Sequence, residues 1–194
     1  MDLYIEIAAV LFNVAYVLLA ARESIWCWPL GILGSGLSIW LFIIAGLYAE
    51  SVLFTYYVFM GFYGWFAWSR SSANSGIEIR TWNWQVHFAV LTGGFIGSYG
   101  VYAALVNFTD AQMPLLDAYT TVFSFIATWM VAKRVLENWV YWIAIDALTI
   151  YLYFSRELYI YAVLSAAYTV IAFYGYAAWY KSYINTQRKF DGSS

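Results

Sequence analysis

Charge is scarce in this chain. Of 194 residues, 10% are Asp, Glu, Lys or Arg, nine basic against eleven acidic, where a soluble domain carries roughly 25%. So few charges cannot cover a 22.3 kDa body in water, and a water-soluble globule is excluded; a face that meets lipid needs no such cover. Cysteine is reduced to Cys27, which rules out an internal disulfide and a cysteine metal site. Histidine is reduced to His87, so no pair of imidazoles with metal spacing exists. A glycine-rich phosphate loop and an adjacent nucleophile and base are missing too. Enzymatic chemistry therefore has little support, and no cofactor is expected. A net charge of -2 gives no footing for nucleic acid. The amino end reads Met-Asp-Leu-Tyr-Ile-Glu, with acids where a secretory signal would carry Lys or Arg, so the first apolar segment is expected to be retained.

What is abundant is apolar and aromatic surface, 64% and 23% of residues. Apolar stretches bounded by charge, Gly, Asn or Pro fall at 4–21, 25–46, 50–69, 84–106, 114–132, 138–154 and 158–180. A bilayer-spanning helix needs about 20 residues. The pattern predicts an all-α polytopic membrane protein of seven transmembrane helices, with a polar linker from Ser69 to Thr81 after the third. Lys and Arg collect in cytoplasmic loops. If the helices alternate, Arg22, Arg70, Arg80, Lys133, Arg134, Lys181, Arg188 and Lys189 share a side with the carboxyl end, and only Arg156 is opposite. The amino end is expected outside and the carboxyl end inside.

The chain also repeats. Shifted by 111 residues, Arg22–Arg70 aligns with Lys133–Lys181 without a gap, and about 15 of 49 pairs are identical. Trp28 meets Trp139, Leu47-Tyr48 meets Leu158-Tyr159, Phe62-Tyr63-Gly64 meets Phe173-Tyr174-Gly175, and Trp68 meets Trp179. Helices one to three thus resemble helices five to seven. The fourth, between them, brings the second triplet in with the same orientation, so the repeats are parallel. The expected arrangement is 3+1+3: a first repeat at 1–70, linker and fourth helix at 71–107, a second repeat at 108–181, and a cytoplasmic tail at 182–194. Gly93, Gly97 and Gly100 are expected to let the fourth helix pack closely.

A duplicated bundle forms a pocket between its halves, which directs attention to polar groups at mid-helix. Asp146 stands out, because a charge on an isolated helix at mid-membrane costs roughly 2.5–3.5 kcal/mol. Thr149 and Ser35, its repeat mate, could satisfy it structurally; otherwise it serves a ligand. Trp139, Trp142 and Asp146 are spaced i, i+3, i+7 along one helix face. Two indoles and an acid suit a flat cationic ring, which gains from stacking, from the indole quadrupole and from the counter-charge. Trp139 could equally be an interfacial anchor. Tyr63, Trp65 and Tyr174 either line the route or pack the seam, with Trp68 and Trp179 as belts at the cytoplasmic interface. His87 reads as an interface residue of the fourth helix. A retinal protein would need a lysine within the last helix, and Lys181 is at its very end.

Trp-Pro-Leu-Gly at 28–31, Leu-Tyr-Ala at 47–49, Phe-Tyr-Gly-Trp-Phe-Ala-Trp at 62–68 and Glu-Asn-Trp-Val-Tyr-Trp-Ile-Ala-Ile-Asp at 137–146 resemble the Pnu vitamin transporters, best known for nicotinamide riboside carriers of the PnuC type. The family motif W-x-x-W-x-x-x-N/D is met by Trp139, Trp142 and Asp146. The resemblance implies a bacterial inner-membrane facilitator, a uniporter with a SWEET-like 3+1+3 fold, a substrate site at the motif, trapping of the imported vitamin by a cytoplasmic kinase, and homotrimers. Nicotinamide riboside carriers often have Asn at the position of Asp146 and near those of Gly61 and Tyr174; an acid suits a pyridinium or a thiazolium. Nicotinamide riboside is the first expectation and thiamine the second. A ligand-binding membrane receptor and an intramembrane enzyme are the alternatives of other classes.

Overall fold

The computed structural model describes residues 3–44, 48–74, 78–109, 112–157 and 159–191. Within them the apolar stretches form seven helices: α1 (Leu3–Ala21), α2 (Cys27–Ile44), α3 (Tyr48–Asn74), α4 (Trp84–Phe108), α5 (Pro114–Ala132), α6 (Asn138–Ser155) and α7 (Tyr159–Asp191). Helices α1, α2, α4, α5 and α7 (over Tyr159–Arg188) are long and apolar enough to cross a bilayer by length and composition. Helix α6, with 18 residues, has a length of roughly 27 Å at the α-helical rise, close to the thickness of a hydrocarbon core; it is also the helix that carries Asp146.

Local chemistry explains where helices start. Pro114 opens α5 in the first turn, where its missing N–H costs nothing. The Asn83 side chain accepts the Val86 N–H at 3.0 Å and caps α4. The two hairpin turns that enter α2 and α6 are built alike. Glu23 and Arg134, mates under the 111-residue shift, both adopt the left-handed region with φ of 57° and 60°. The N–H of Glu23 donates to Ala20 O and that of Ser24 to Leu19 O; the N–H of Arg134 donates to Val131 O and that of Val135 to Met130 O. These are the paired closing bonds of a helix that ends in a left-handed residue.

Packing follows chain order: α1 on α2 on α3, and α5 on α6 on α7, with α4 against α5. The two triplets meet where α1 touches α7 and α3 touches α5. Four tryptophans hold that meeting together. Trp28 stands edge-on to Trp68 at 5.3 Å and 89°, Trp139 edge-on to Trp179 at 5.5 Å and 88°, and Trp68 and Trp179 lie 6.1 Å apart. The Trp68 indole N–H crosses to Ala132 O at 3.1 Å, and the Trp179 indole N–H crosses the other way to Ala20 O at 3.0 Å. Gly64 and Gly175 face Trp28 and Trp139, and a methyl at Gly175 would approach the Trp139 ring to 2.7 Å. The lone thiol, Cys27, is fully buried in the same cluster.

Several sequence expectations change here. Trp68 and Trp179 are 0% exposed and form the core rather than interfacial belts. Helix α3 continues to Asn74, into the stretch read as linker, and α7 runs on to Asp191, through most of the stretch read as a tail. On α4 it is Gly94, not the three glycines named above, that makes a tight contact, against Phe123 of α5; Gly93 and Gly100 face open space and Gly97 only approaches Val122. The linker is tied down: Arg80 N donates to Arg134 O at 2.9 Å and Leu136 N to Arg80 O at 2.8 Å, a short parallel bridge to the turn that enters α6.

Candidate functional site

Asp146 lies near the middle of α6 and is 8% exposed. Among the described residues no hydrogen bond or ion pair reaches its carboxyl group. The hydroxyls that might have satisfied it are turned elsewhere: Thr149 donates to Ile145 O of its own helix at 2.8 Å, and Ser35, buried, makes no bond to it. Two phenols lie near enough to interact with the acid electrostatically. Tyr57 of α3 and Tyr168 of α7 both lie within electrostatic range of Asp146, and Tyr57 is hydrogen-bonded to Ser124 of α5. These two tyrosines are mates under the 111-residue shift. Equivalent residues from opposite triplets converging on one group place that group at the junction of the two halves.

The halves are not identical at this depth. Tyr16 of α1 lies over Gly31 of α2, so closely that a methyl there would meet its ring at 2.8 Å. The mates of these residues exchange sizes, Ala127 for Tyr16 and Trp142 for Gly31. Asn13 donates to Ser38 at 3.3 Å in the first triplet. The first triplet thus packs α1 against α2 here through polar but uncharged side chains.

Of the residues singled out from the sequence, Trp139, Trp142 and Asp146 share one face of α6. Trp139 is 2% exposed within the tryptophan cluster, and its indole N–H, like that of Trp28, is buried without a partner. Trp142, half-buried, packs against the same cluster one turn nearer the acid. Tyr63, Trp65 and Tyr174 are more exposed. Lys133 Nζ sits 5.3 Å above the Tyr63 ring, and Trp65 borders a shallow groove on α3 with Phe62, Phe66 and Ser69. No contact joins these three to Asp146 among the described residues. Tyr57 and Tyr168 were the residues that sequence reasoning missed. They are one of the identical pairs in the repeat alignment, at helix positions remote from any loop, and that conjunction was the available signal.

His87 has partners that its sequence neighbourhood does not reveal. Nδ1 lies 3.1 Å from the Tyr141 hydroxyl and Nε2 lies 3.9 Å from Glu137. Glu137 also accepts the Trp82 N–H at 3.4 Å, and Trp82 packs against both His87 and Trp129. This cluster fastens the start of α4 to the start of α6. At the opposite end of α6, Arg156 pairs with Asp117 of α5 at 2.7 Å. In the turn between α1 and α2, burial pushes the Glu23 carboxyl above its usual value while the Ser182 hydroxyl, donating at 3.2 Å, opposes the shift. Burial, with Arg80 nearby, lowers Arg134.

An apolar helical bundle with helices long enough to cross a bilayer is the architecture of an integral membrane protein, and a solved structure shares the fold. The crystal structure of the vitamin B3 transporter PnuC superposes with a TM-score of 0.77 over 95% of this chain and 83% of that one, at 22% identity. The nicotinamide mononucleotide transporter family matches residues 3–181, and the chain belongs to that family. The resemblance to the Pnu vitamin transporters is thereby borne out. Among curated relatives, the riboflavin/roseoflavin transporter RibM of Streptomyces davaonensis is 25% identical over 71% of this chain and 66% of its own length. The nicotinamide riboside transporter PnuC of Escherichia coli is 22% identical over 92% of this chain and 86% of its own.

Proposed function

We propose that the chain is a facilitator for uptake of a vitamin or vitamin precursor, working by alternating access across a bacterial inner membrane. All seven helices span, in two parallel SWEET-like triplets with α4 between them, the amino end outside and the carboxyl end cytoplasmic. The observation that carries this reading is Asp146, buried at the junction of the two triplets between Tyr57 and Tyr168 with no cation of its own. A buried carboxylate without a partner is costly, and a cationic ring supplies the missing charge. Trp142 and, once the cluster opens, Trp139 offer indole faces to that ring. Tyr63, Trp65 and Tyr174 line the route by which it leaves.

Nicotinamide riboside is the first candidate, supported by a relative similar over 92% of this chain; thiamine, equally cationic, is the second. No ATP-binding motif is present in the sequence, so entry is downhill, and phosphorylation by a cytoplasmic kinase keeps the product inside. The exposed apolar faces leave room for a homotrimer. On this reading the end joined by the tryptophan cluster is the cytoplasmic one, and access from that side requires the Trp68–Ala132 and Trp179–Ala20 bonds to part.

Calorimetric titration of the purified protein with nicotinamide riboside, thiamine and riboflavin tests the assignment, on the parent and on Asp146→Asn. One of the two cations should bind, and Asp146→Asn should weaken it at least tenfold while leaving the neutral flavin unaffected. Counterflow of the labelled cation in proteoliposomes then separates a carrier from a receptor. Equal binding of every cation by the Asn variant would make Asp146 structural and end the reading.

A further inference from the structure

We propose that the groove on the outward face of α3 is the seat of one anionic phospholipid, with an acyl chain lying along Phe62, Phe66 and Ser69 and the phosphate held by Arg70 and Lys133. The inference concerns the lipid-facing surface of the first triplet and does not depend on the substrate.

The groove, of about 280 Å³, is lined by Phe62, Trp65, Phe66 and Ser69. Helical periodicity places it on the side of α3 opposite Gly64 and Trp68, which pack inward on Trp28. The Ser69 hydroxyl donates back to Trp65 O at 2.8 Å, so the floor presents no spare donor and suits hydrocarbon. Two cations stand at one end. Arg70 Cζ lies 4.6 Å over the Phe66 ring, and Lys133 Nζ lies 5.3 Å over the Tyr63 ring. Tyr63 and Phe66 are i, i+3 neighbours on the helix surface, and Lys133 is brought to them because Ala132 O accepts the Trp68 indole N–H at 3.1 Å. Both cations are exposed, and neither belongs to an ion pair among the described residues. Basic side chains at the end of a spanning helix ordinarily reach outward to water. Arg70 instead folds back over a ring four residues, or roughly 6 Å of helix, nearer the middle.

The apolar stretch of α3 gives way to polar sequence at Ser69 and Arg70, the level at which hydrocarbon gives way to headgroups. A lipid phosphate there meets a guanidinium and an ammonium with charge-assisted hydrogen bonds, and the groove runs from those charges toward mid-membrane, the direction an acyl chain takes from its phosphate. Two cations with no acid beside them favour a lipid of net negative charge over a zwitterionic one, whose amine they would repel. The repeat supplies a comparison within the molecule. Under the 111-residue shift Arg70 and Lys133 correspond to Lys181 and Arg22, so the charges recur, but Ser69 corresponds to Tyr180, Trp65 to Tyr176 and Phe66 to Ala177. Tyr176 and Tyr180 stack at 6.2 Å and 9°, so a second ring stands where Ser69 leaves a gap, and Ala177 offers no ring beneath Lys181. General attraction of basic residues to acidic lipid would use both places equally; a built seat uses only the first. Trp65, assigned above to the substrate route, forms the flank of the groove, so the seated lipid borders that route.

The test titrates the purified full chain in a neutral detergent with dioleoylphosphatidylglycerol, and with dioleoylphosphatidylcholine for comparison, and counts bound lipid by native mass spectrometry. The parent should retain one phosphatidylglycerol per protomer under conditions that strip phosphatidylcholine. Arg70→Gln and Lys133→Gln should each weaken retention roughly fivefold, the worth of one basic residue at an anionic surface. Ser69→Tyr keeps both charges and puts into the groove the ring that the second triplet has, so it should abolish the retained lipid, whereas Lys181→Gln should change nothing. Equal losses from Lys181→Gln and Arg70→Gln would reduce the effect to general attraction and overturn the seat. Equal retention of the two lipids by the parent would overturn it as well. So would a parent that binds no lipid and forms an oligomer that Ser69→Tyr dissociates, since a second copy of the chain would then cover the groove. Lipid selectivity is read on the parent and the Gln variants alter exposed side chains only, so the outcome is decided even if Ser69→Tyr does not fold.

Discussion

Tyr57 and Tyr168 lie within electrostatic range of the same carboxylate from opposite triplets. Removing either hydroxyl takes away one polar group from the proposed substrate site, worth about 1 kcal/mol. Tyr57→Phe and Tyr168→Phe are therefore each expected to weaken cation binding by roughly fivefold in calorimetric titration. An effect confined to one of them would show that the substrate does not sit between the two halves. Glu23 allows a pH prediction outside the membrane. Its carboxyl is raised by burial, so folding favours its protonated form, and the ionised form becomes a liability as pH rises through the folded-state value. Glu23→Gln keeps an oxygen for the Ser182 hydroxyl and removes that liability. Thermal melts in detergent should show the variant matching the parent near pH 4 and exceeding it at pH 7 to 8. A parent that is more stable than the variant at neutral pH would mean that the ionised Glu23 is satisfied.

Among the elements, α4 and α7 separate glycines that touch something from glycines that do not. A methyl at Gly175 meets the Trp139 ring at 2.7 Å, whereas a methyl at Gly100 meets nothing. Gly175→Ala should lower stability by about 1–3 kcal/mol, the usual cost of overpacking. Gly100→Ala should leave it unchanged or raise it slightly, because alanine is the better helix former. The melting temperatures of the two variants check the contrast. The same elements show what was legible in the sequence. Helix positions were readable because lipid imposes long apolar runs, and the repeat was readable because Tyr, Gly and Trp aligned in one register. Which glycine of α4 faces α5 was not, since periodicity gives a face but not the neighbour it meets. The ends of α3 and α7 were misjudged for another reason: polar residues such as Ser71 and Thr186 mark the limit of the bilayer, and a helix need not stop there. At the site, Asp146 was visible through its cost in lipid. Tyr57 and Tyr168 were hidden among nineteen tyrosines, and His87 could not be read because Glu137 and Tyr141 are distant in the chain.

At the scale of the whole molecule, two reciprocal indole bonds, Trp68 to Ala132 and Trp179 to Ala20, join the triplets at one end. Replacing both tryptophans by phenylalanine keeps most of the packing and removes both bonds, which should shift the population toward a form open at that end. Cys27 makes the shift measurable, because it is the chain's only cysteine and is buried in the same cluster. Maleimide should modify the Trp68→Phe, Trp179→Phe variant several times faster than the parent, and equal rates would mean that the bonds do not hold the closure. The thiol also has a use that needs no variant. A protein with one shielded sulfhydryl beside the seam of its two triplets comes with a native chemical clock: the time course of alkylation, with and without a candidate nutrient, reports how often that seam parts, in the unaltered chain and without a fluorophore or an introduced label site.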